Sequence, residues 1–263
     1  MRRLLLAALV WTAFWPGVAG AVDCDAPRAR VATVIGLSFC VDAAFETAIA
    51  GQVKAVRADI AARRQAGKLV AYPVGPLFPG EGGDERVDRE IAASVKARLE
   101  RRFGETLWVL DPEAYRLPPR GEHTSGPEEH VLLWTRVLAG EDGLGRDVDL
   151  AHFTGPGDAR AYFGCGDADL VGCLARWMSA RADRDDAFRK EIFADAGRQG
   201  AFLRHYALRA SSAYEKGAHD LWNLFARVNR RRPLGDQIAI YFDGRPVSPA
   251  EMETQVSPGY DLR

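Results

Sequence analysis

The feature that most limits the fold of this chain is an alternation of short apolar runs with longer segments of helical spacing. Lys68 to Val74, Leu107 to Leu110, Asp147 to Phe153 and Gln237 to Phe242 read as strands, the first leaving through Gly75-Pro76 and the last closing at Asp243-Gly244. Pro73 restricts the first of these, because proline cannot donate to a sheet ladder and belongs at a strand end or on an edge. Helical patterns lie between them. Phe45 to Gln65 repeats Ile49, Val53, Val56 and Ile60 among charged residues and stops at Gly67. Asp88 is placed to cap a helix running to Phe103 through Ile91, Val95 and Leu99, with Gly104 as its breaker. Glu128 to Leu138 reads as a further helix, and Ala159 to about Arg231 as a mostly helical region with two cysteines in one of its turns. Pro112 to Pro127, rich in Pro, Gly and charge, is expected to be a loop or lid.

Strands separated by helices need crossover connections, and these make parallel sheets covered on both faces. The expected fold class is therefore α/β, with a mainly parallel, roughly four-stranded, flavodoxin-like sheet and a helix-rich C-terminal half. Residues 22–67 are expected to form an N-terminal extension with a helix, and residues 68–263 the α/β domain, as one globular unit. Residues 1–21 stand apart. Met1-Arg2-Arg3 is basic, Leu4 to Trp15 is uncharged and apolar, and Ala19-Gly20-Ala21 supplies the small residues of a cleavage site. The apolar run is shorter than the roughly 20 residues that cross a bilayer. It is read as a signal peptide cleaved near Ala21, giving a periplasmic or secreted chain with no membrane association afterwards. A lipid anchor on Cys24 is disfavoured, because Val22-Asp23 stand where a lipoprotein site needs small residues.

The four cysteines, Cys24, Cys40, Cys165 and Cys173, fall into two pairs close in sequence. In an oxidising compartment this predicts two disulfides, with sequence neighbours paired as the expected one of three connectivities. A metal site is not expected, since neither pair has the CxxC spacing of a zinc knuckle. Lysine and arginine number 35 against 36 acidic residues, so nothing points to nucleic acid as a partner. The four arginines between Arg227 and Arg232 are read as the solvated end of a helix, where cations complement the dipole.

Two strand exits resemble each other: Tyr72-Pro73-Val74-Gly75-Pro76-Leu77-Phe78 and His152-Phe153-Thr154-Gly155-Pro156-Gly157-Asp158. In open α/β sheets ligands bind outside the carboxyl ends of the strands, where glycine admits a close approach and helix N-termini favour anions. These loops are candidate small-molecule sites; the alternative is that Gly-Pro only turns the chain. No GxxxxGK[ST], GxSxG or HExxH pattern occurs, so phosphate-loop, serine hydrolase and zinc protease chemistries lack their signatures, and no cofactor is expected. A second constellation runs from Ser211 to Asn223. On a helix, Glu215, His219, Trp222 and Asn223 share one side. A carboxylate beside imidazole and indole can serve as nucleophile or base next to a stacking surface. The alternative is an amphipathic helix with Trp222 in the core and Glu215 paired with Lys216 or His219.

Ser211-Ser212-Ala213-Tyr214-Glu215-Lys216-Gly217-Ala218 resembles the Gly-Thr-Ala-Phe-Glu-x-Gly-Tyr stretch of nucleoside 2-deoxyribosyltransferase-like proteins. Tyr72 to Phe78 is similar to their first strand and loop, and Asp149 to Gly155 takes the place of a later strand and its exit. Arg209 lies near the position of the acidic residue that usually precedes their motif. The resemblance implies that Glu215 is a nucleophile attacking an anomeric carbon, that Tyr72, Gly75 and Phe78 line the pocket, and that Asp158 assists. Two functions follow as expectations. One is an enzyme acting on a glycosidic or nucleotide-like small molecule, with Glu215, His219 and Asp158 as catalytic residues and Tyr72, Gly75, Pro76, Phe78, Thr154, Gly155, Trp222 and Asn223 binding the substrate. The other is a non-catalytic protein that binds a ligand or partner through the same cleft.

Overall fold

The computed structural model describes residues 24–75, 81–211 and 221–253. The expected leader, residues 1–21, and Pro76, Phe78, Glu215 and His219 lie outside the described residues.

The first described elements form an antiparallel hairpin, β1 (Arg28–Ala32) and β2 (Ser38–Asp42), where the sequence suggested only a cysteine-bearing entry segment. Phe39 and Val41 alternate into the core, and Gly36, with φ of +78°, supplies the left-handed turn residue. Helix α1 (Glu46–Gln65) follows and buries Ile49, Val53, Val56 and Ile60, as their spacing requires.

The main sheet contains β3 (Leu69–Val74), β4 (Leu107–Val109), β5 (Leu150–Phe153), β6 (Ala239–Phe242) and β7 (Arg245–Pro246), in the order β4-β3-β5-β6-β7. The first four run parallel, and β7 returns antiparallel to β6. Numbered along the chain, the parallel strands lie in the order 2-1-3-4, the flavodoxin-like arrangement. The extra strand arises from the β6–β7 turn, in which Asp243 and Gly244 take φ of 52° and 80°, a geometry suited to a two-residue hairpin.

Helices α2 (Glu85–Phe103) and α3 (Pro127–Ala139) cross on opposite faces. On one side Val70, Tyr72, Val74, Ala151, Phe153 and Ile240 pack with α1, α3 and α8 (Trp222–Arg230); on the other, Ala71, Leu107 and Val109 pack with Val95 and Leu99 of α2. The helix-rich C-terminal half comprises α4 (Pro156–Phe163), α5 (Leu170–Ala182), the short α6 (Asp186–Phe188) and α7 (Ala196–Arg209), with α8 after it. Phe163, Met178, Phe188, Phe202 and Tyr206 build a separate cluster there against Val87 and Ile91 of α2. The described chain ends in α9 (Pro249–Glu253).

Several boundaries differ from the sequence reading for local reasons. Asp84, not Asp88, caps α2, because its carboxylate accepts from the Arg86 and Val87 N–H groups. Strand β5 starts at Leu150 because the Asp149 side chain turns to accept from the Val70 N–H at 2.8 Å and from Arg64 at 2.7 Å. Asn229, between the arginines of α8, is buried, and its amide pairs with both backbone groups of Ile238, fixing the entry to β6. Both disulfides are formed between sequence neighbours, Cys24 with Cys40 and Cys165 with Cys173, which suits an oxidising environment. No helix among the described residues is long and apolar enough to cross a membrane.

Candidate functional site

A cleft of about 830 Å³ opens at the carboxyl ends of β3 and β4, a size typical of small-molecule sites. The end of β3 brings Tyr72 and Gly75; α2 forms one wall, and the segment from Asp111 to Leu117 with the start of α3 forms the other. Arg209, at the end of α7, closes it.

Aromatic rings lie at its base. Tyr72 is 1% exposed, and its ring sits 5.0 Å from that of Trp134 on α3, both in the cleft lining. Burial, helped by the charge of Glu113, pushes the Tyr72 phenol well above its ordinary pKa, so it stays protonated. His130, also on α3, is held below the ordinary imidazole value by burial, in part offset by its hydrogen bond to the Gly126 carbonyl at 3.0 Å. A neutral imidazole therefore lines this wall near pH 7.

The rim is charged, and its charges pair across the opening. Arg116 contacts Glu85 and lies 2.8 Å from Glu113; Arg89 reaches Glu113 at 4.0 Å and Lys96 reaches Asp111 at 3.4 Å. Burial opposes the charge on Arg116, but its bond to Glu85 and the field of Glu113 outweigh that and raise its pKa. Deeper in, Arg209 pairs with Asp88, which also accepts from the Tyr206 hydroxyl at 2.9 Å. Arg209 Nε and Asp88 Oδ2 remain buried without a partner, an unusual cost for a polar pair beside a cleft. The loop predicted from Pro112 to Pro127 is thus latched to α2 by ion pairs. Only its Pro, Gly and charge content marked it in the sequence; the partners on α2 were unmarked because a helix surface rich in charge is ordinary.

The second Gly-Pro exit has a different fate. Thr154 and Gly155 are buried and do not line the cleft. Asp158 Oδ2 accepts from His152 Nε2 at 2.8 Å and from the Gly155 N–H at 3.0 Å, while Oδ1 receives Arg98. Burial disfavours the Asp158 anion, but the His152 bond, with Gly155 and Arg98, outweighs this and lowers its pKa. The Asp158 N–H donates in turn to Asp243 Oδ1 at 3.0 Å. A Cβ on Gly155 would stand 2.3 Å from the Asp243 Cβ, so glycine is needed here for close approach. The N-terminus of α4 is therefore filled by the chain's own carboxylates. Trp222 and Asn223 are buried, Trp222 lying in the core with its ring 5.0 Å from that of Phe153. Of the predicted site residues, the cleft gathers Tyr72 and Gly75; Asp158, Thr154 and Gly155 collect at α4, and Trp222 packs beneath β5. His152 was not singled out, although its spacing to Asp158 was the available signal.

No group of three or more His, Cys, Asp or Glu side chains placed to hold a metal occurs among the described residues. The site and sheet define an α/β protein with a cleft at its strand ends. Compared with known proteins, the chain matches no family model, no curated protein and no solved structure.

Proposed function

We propose that this is an exported protein that binds a nucleoside- or sugar-like small molecule in the cleft over β3 and β4. The observation that carries the reading is the composition of that cleft: a protonated tyrosine and a tryptophan for a ring, within a rim of polar and charged groups for hydroxyls. The proposed export rests on the basic and apolar leader, and the two disulfides fit it. Glu215 is proposed as nucleophile or base, since Arg209, on the chain leading to it, lines the cleft. The resemblance to nucleoside 2-deoxyribosyltransferase-like proteins supports that assignment. One observation favours the second reading, binding without catalysis. Glu85, Asp88, Asp111 and Glu113 each already face a basic partner, so among the described residues the cleft offers no uncommitted carboxylate.

A thermal-shift screen of the mature chain against nucleosides, nucleotides and sugars tests this. A ligand at 100 times its Kd stabilises by about 2.7 kcal/mol, a shift of several degrees for a chain of this size. Release of free base or sugar that is lost in Glu215→Ala supports the enzyme; a shift retained in Glu215→Ala without turnover supports the binding protein. No shift with any compound in the panel overturns both.

A further inference from the structure

A separate groove lies on the opposite face of the sheet, and its origin is topological. Parallel strands are normally covered on both faces. Here α2 covers β3 and β4, while α4 to α7 run away to build their own cluster, so the α2-side face of β5 and β6 stays partly open. The pleat puts Leu150 and His152 on that face, with Tyr241 the register partner of His152. The result is a groove of about 240 Å³.

Its wall is the last two turns of α2, which present two i,i+4 rows. Leu99 and Phe103 give an apolar surface, and Arg98 and Arg102 give cations. The charges in the groove are not equivalent. Arg98 is spent on Asp158, and Asp243 is spent on the α4 N-terminus. Arg102 is exposed, has no carboxylate partner among the described residues, and holds its guanidinium 5.3 Å from the Phe103 ring centre. His152 makes its hydrogen bond through Nε2 to Asp158; a carboxylate only accepts, so Nε2 carries a proton, and in the neutral ring Nδ1 is the acceptor. The groove thus combines an apolar floor, one uncommitted cation and one oriented acceptor.

We propose that this groove is a binding site for a small ring carboxylate bearing a hydroxyl. The ring lies on Leu99, Phe103 and Leu150, the carboxylate meets Arg102, and the hydroxyl donates to His152. This site is independent of the cleft over β3 and β4, and either can fail while the other stands.

3-Hydroxybenzoate, whose hydroxyl is out of reach of its own carboxylate, is a suitable probe, titrated calorimetrically into the mature chain. Saturable binding is expected, weakened at least tenfold in Arg102→Gln and at least tenfold with phenol, which lacks the carboxylate; benzoate, lacking the hydroxyl, binds more weakly than 3-hydroxybenzoate. Arg101→Gln removes the same charge from the same exposed turn outside the groove and is expected to change binding less than twofold. Equal effects of Arg101→Gln and Arg102→Gln, phenol or benzoate binding as tightly as 3-hydroxybenzoate, or no saturable binding overturns the proposal.

Discussion

His130 and Asp158 show how the partners of a buried group decide whether burial or pairing sets its charge. Asp158 gathers three donors and stays ionised, so its contribution to stability is full above the ordinary aspartate value of 3.8 and lost as pH falls through its lower folded value. For His130 burial outweighs the opposing effects of the Gly126 carbonyl, Glu129 and Glu113 and lowers its pKa. Its folded pKa lies below 6.5, so the unfolded chain binds the proton first as pH falls, and stability declines from about pH 6.5 down to that folded value. His205, whose pKa is also lowered by burial, acts in the same direction. The melting temperature is therefore expected to fall between pH 7 and pH 5, and His130→Gln to flatten that slope in part; an unchanged slope would show that His130 does not carry it. Residue roles were partly legible in the sequence. Tyr72 and Gly75 were marked by their strand exit, and they do line the cleft. Arg209 and Asp88 were not, because each has its partner 121 positions away, where no local pattern announces it; the signal for His152 was its spacing to Asp158, 6 positions on within the second strand exit.

At the scale of elements, legibility followed the strength of the apolar pattern. The strands β3 to β6 and the helices α1 to α3 were visible, since each buries a periodic face large enough to show in the sequence. The hairpin of β1 and β2 was missed because β1 is largely exposed and carries no apolar run, and β7 because two residues form no pattern at all. β7 pairs with β6, and the turn between them also packs against the start of α4. Gly155→Ala drives a methyl into Asp243 and is expected to destabilise the fold by about 2 kcal/mol in urea denaturation, within the usual range for overpacking. Asp243→Gly removes the nearest clashing atoms while tolerating the positive φ. In the double variant the two effects should therefore sum to less than their separate costs, whereas simple additivity would mean that the contact is absent.

For the whole molecule, the ion pairs between α2 and the segment following β4 act as one fastening. Glu85, Arg89 and Lys96 stand along α2, and their partners Arg116, Glu113 and Asp111 lie on the opposite wall of the cleft. Half-exposed pairs of this kind contribute up to about 1 kcal/mol each and weaken as salt shortens the Debye length from about 10 Å at 0.1 M to about 3 Å at 1 M. Amide exchange across residues 112–117 should therefore quicken as salt is raised to 1 M, while exchange in β3 stays unchanged; parallel changes in both would mark general loosening. The second strand exit behaves differently, because its anion is covalently part of the chain. Asp243, 85 positions from Asp158, is a tethered competitor whose effective concentration at the α4 N-terminus is on the order of millimolar or more. A free phosphate or carboxylate at micromolar levels cannot displace it, so a loop that reads as an anion receptor is, in the folded protein, already occupied from within.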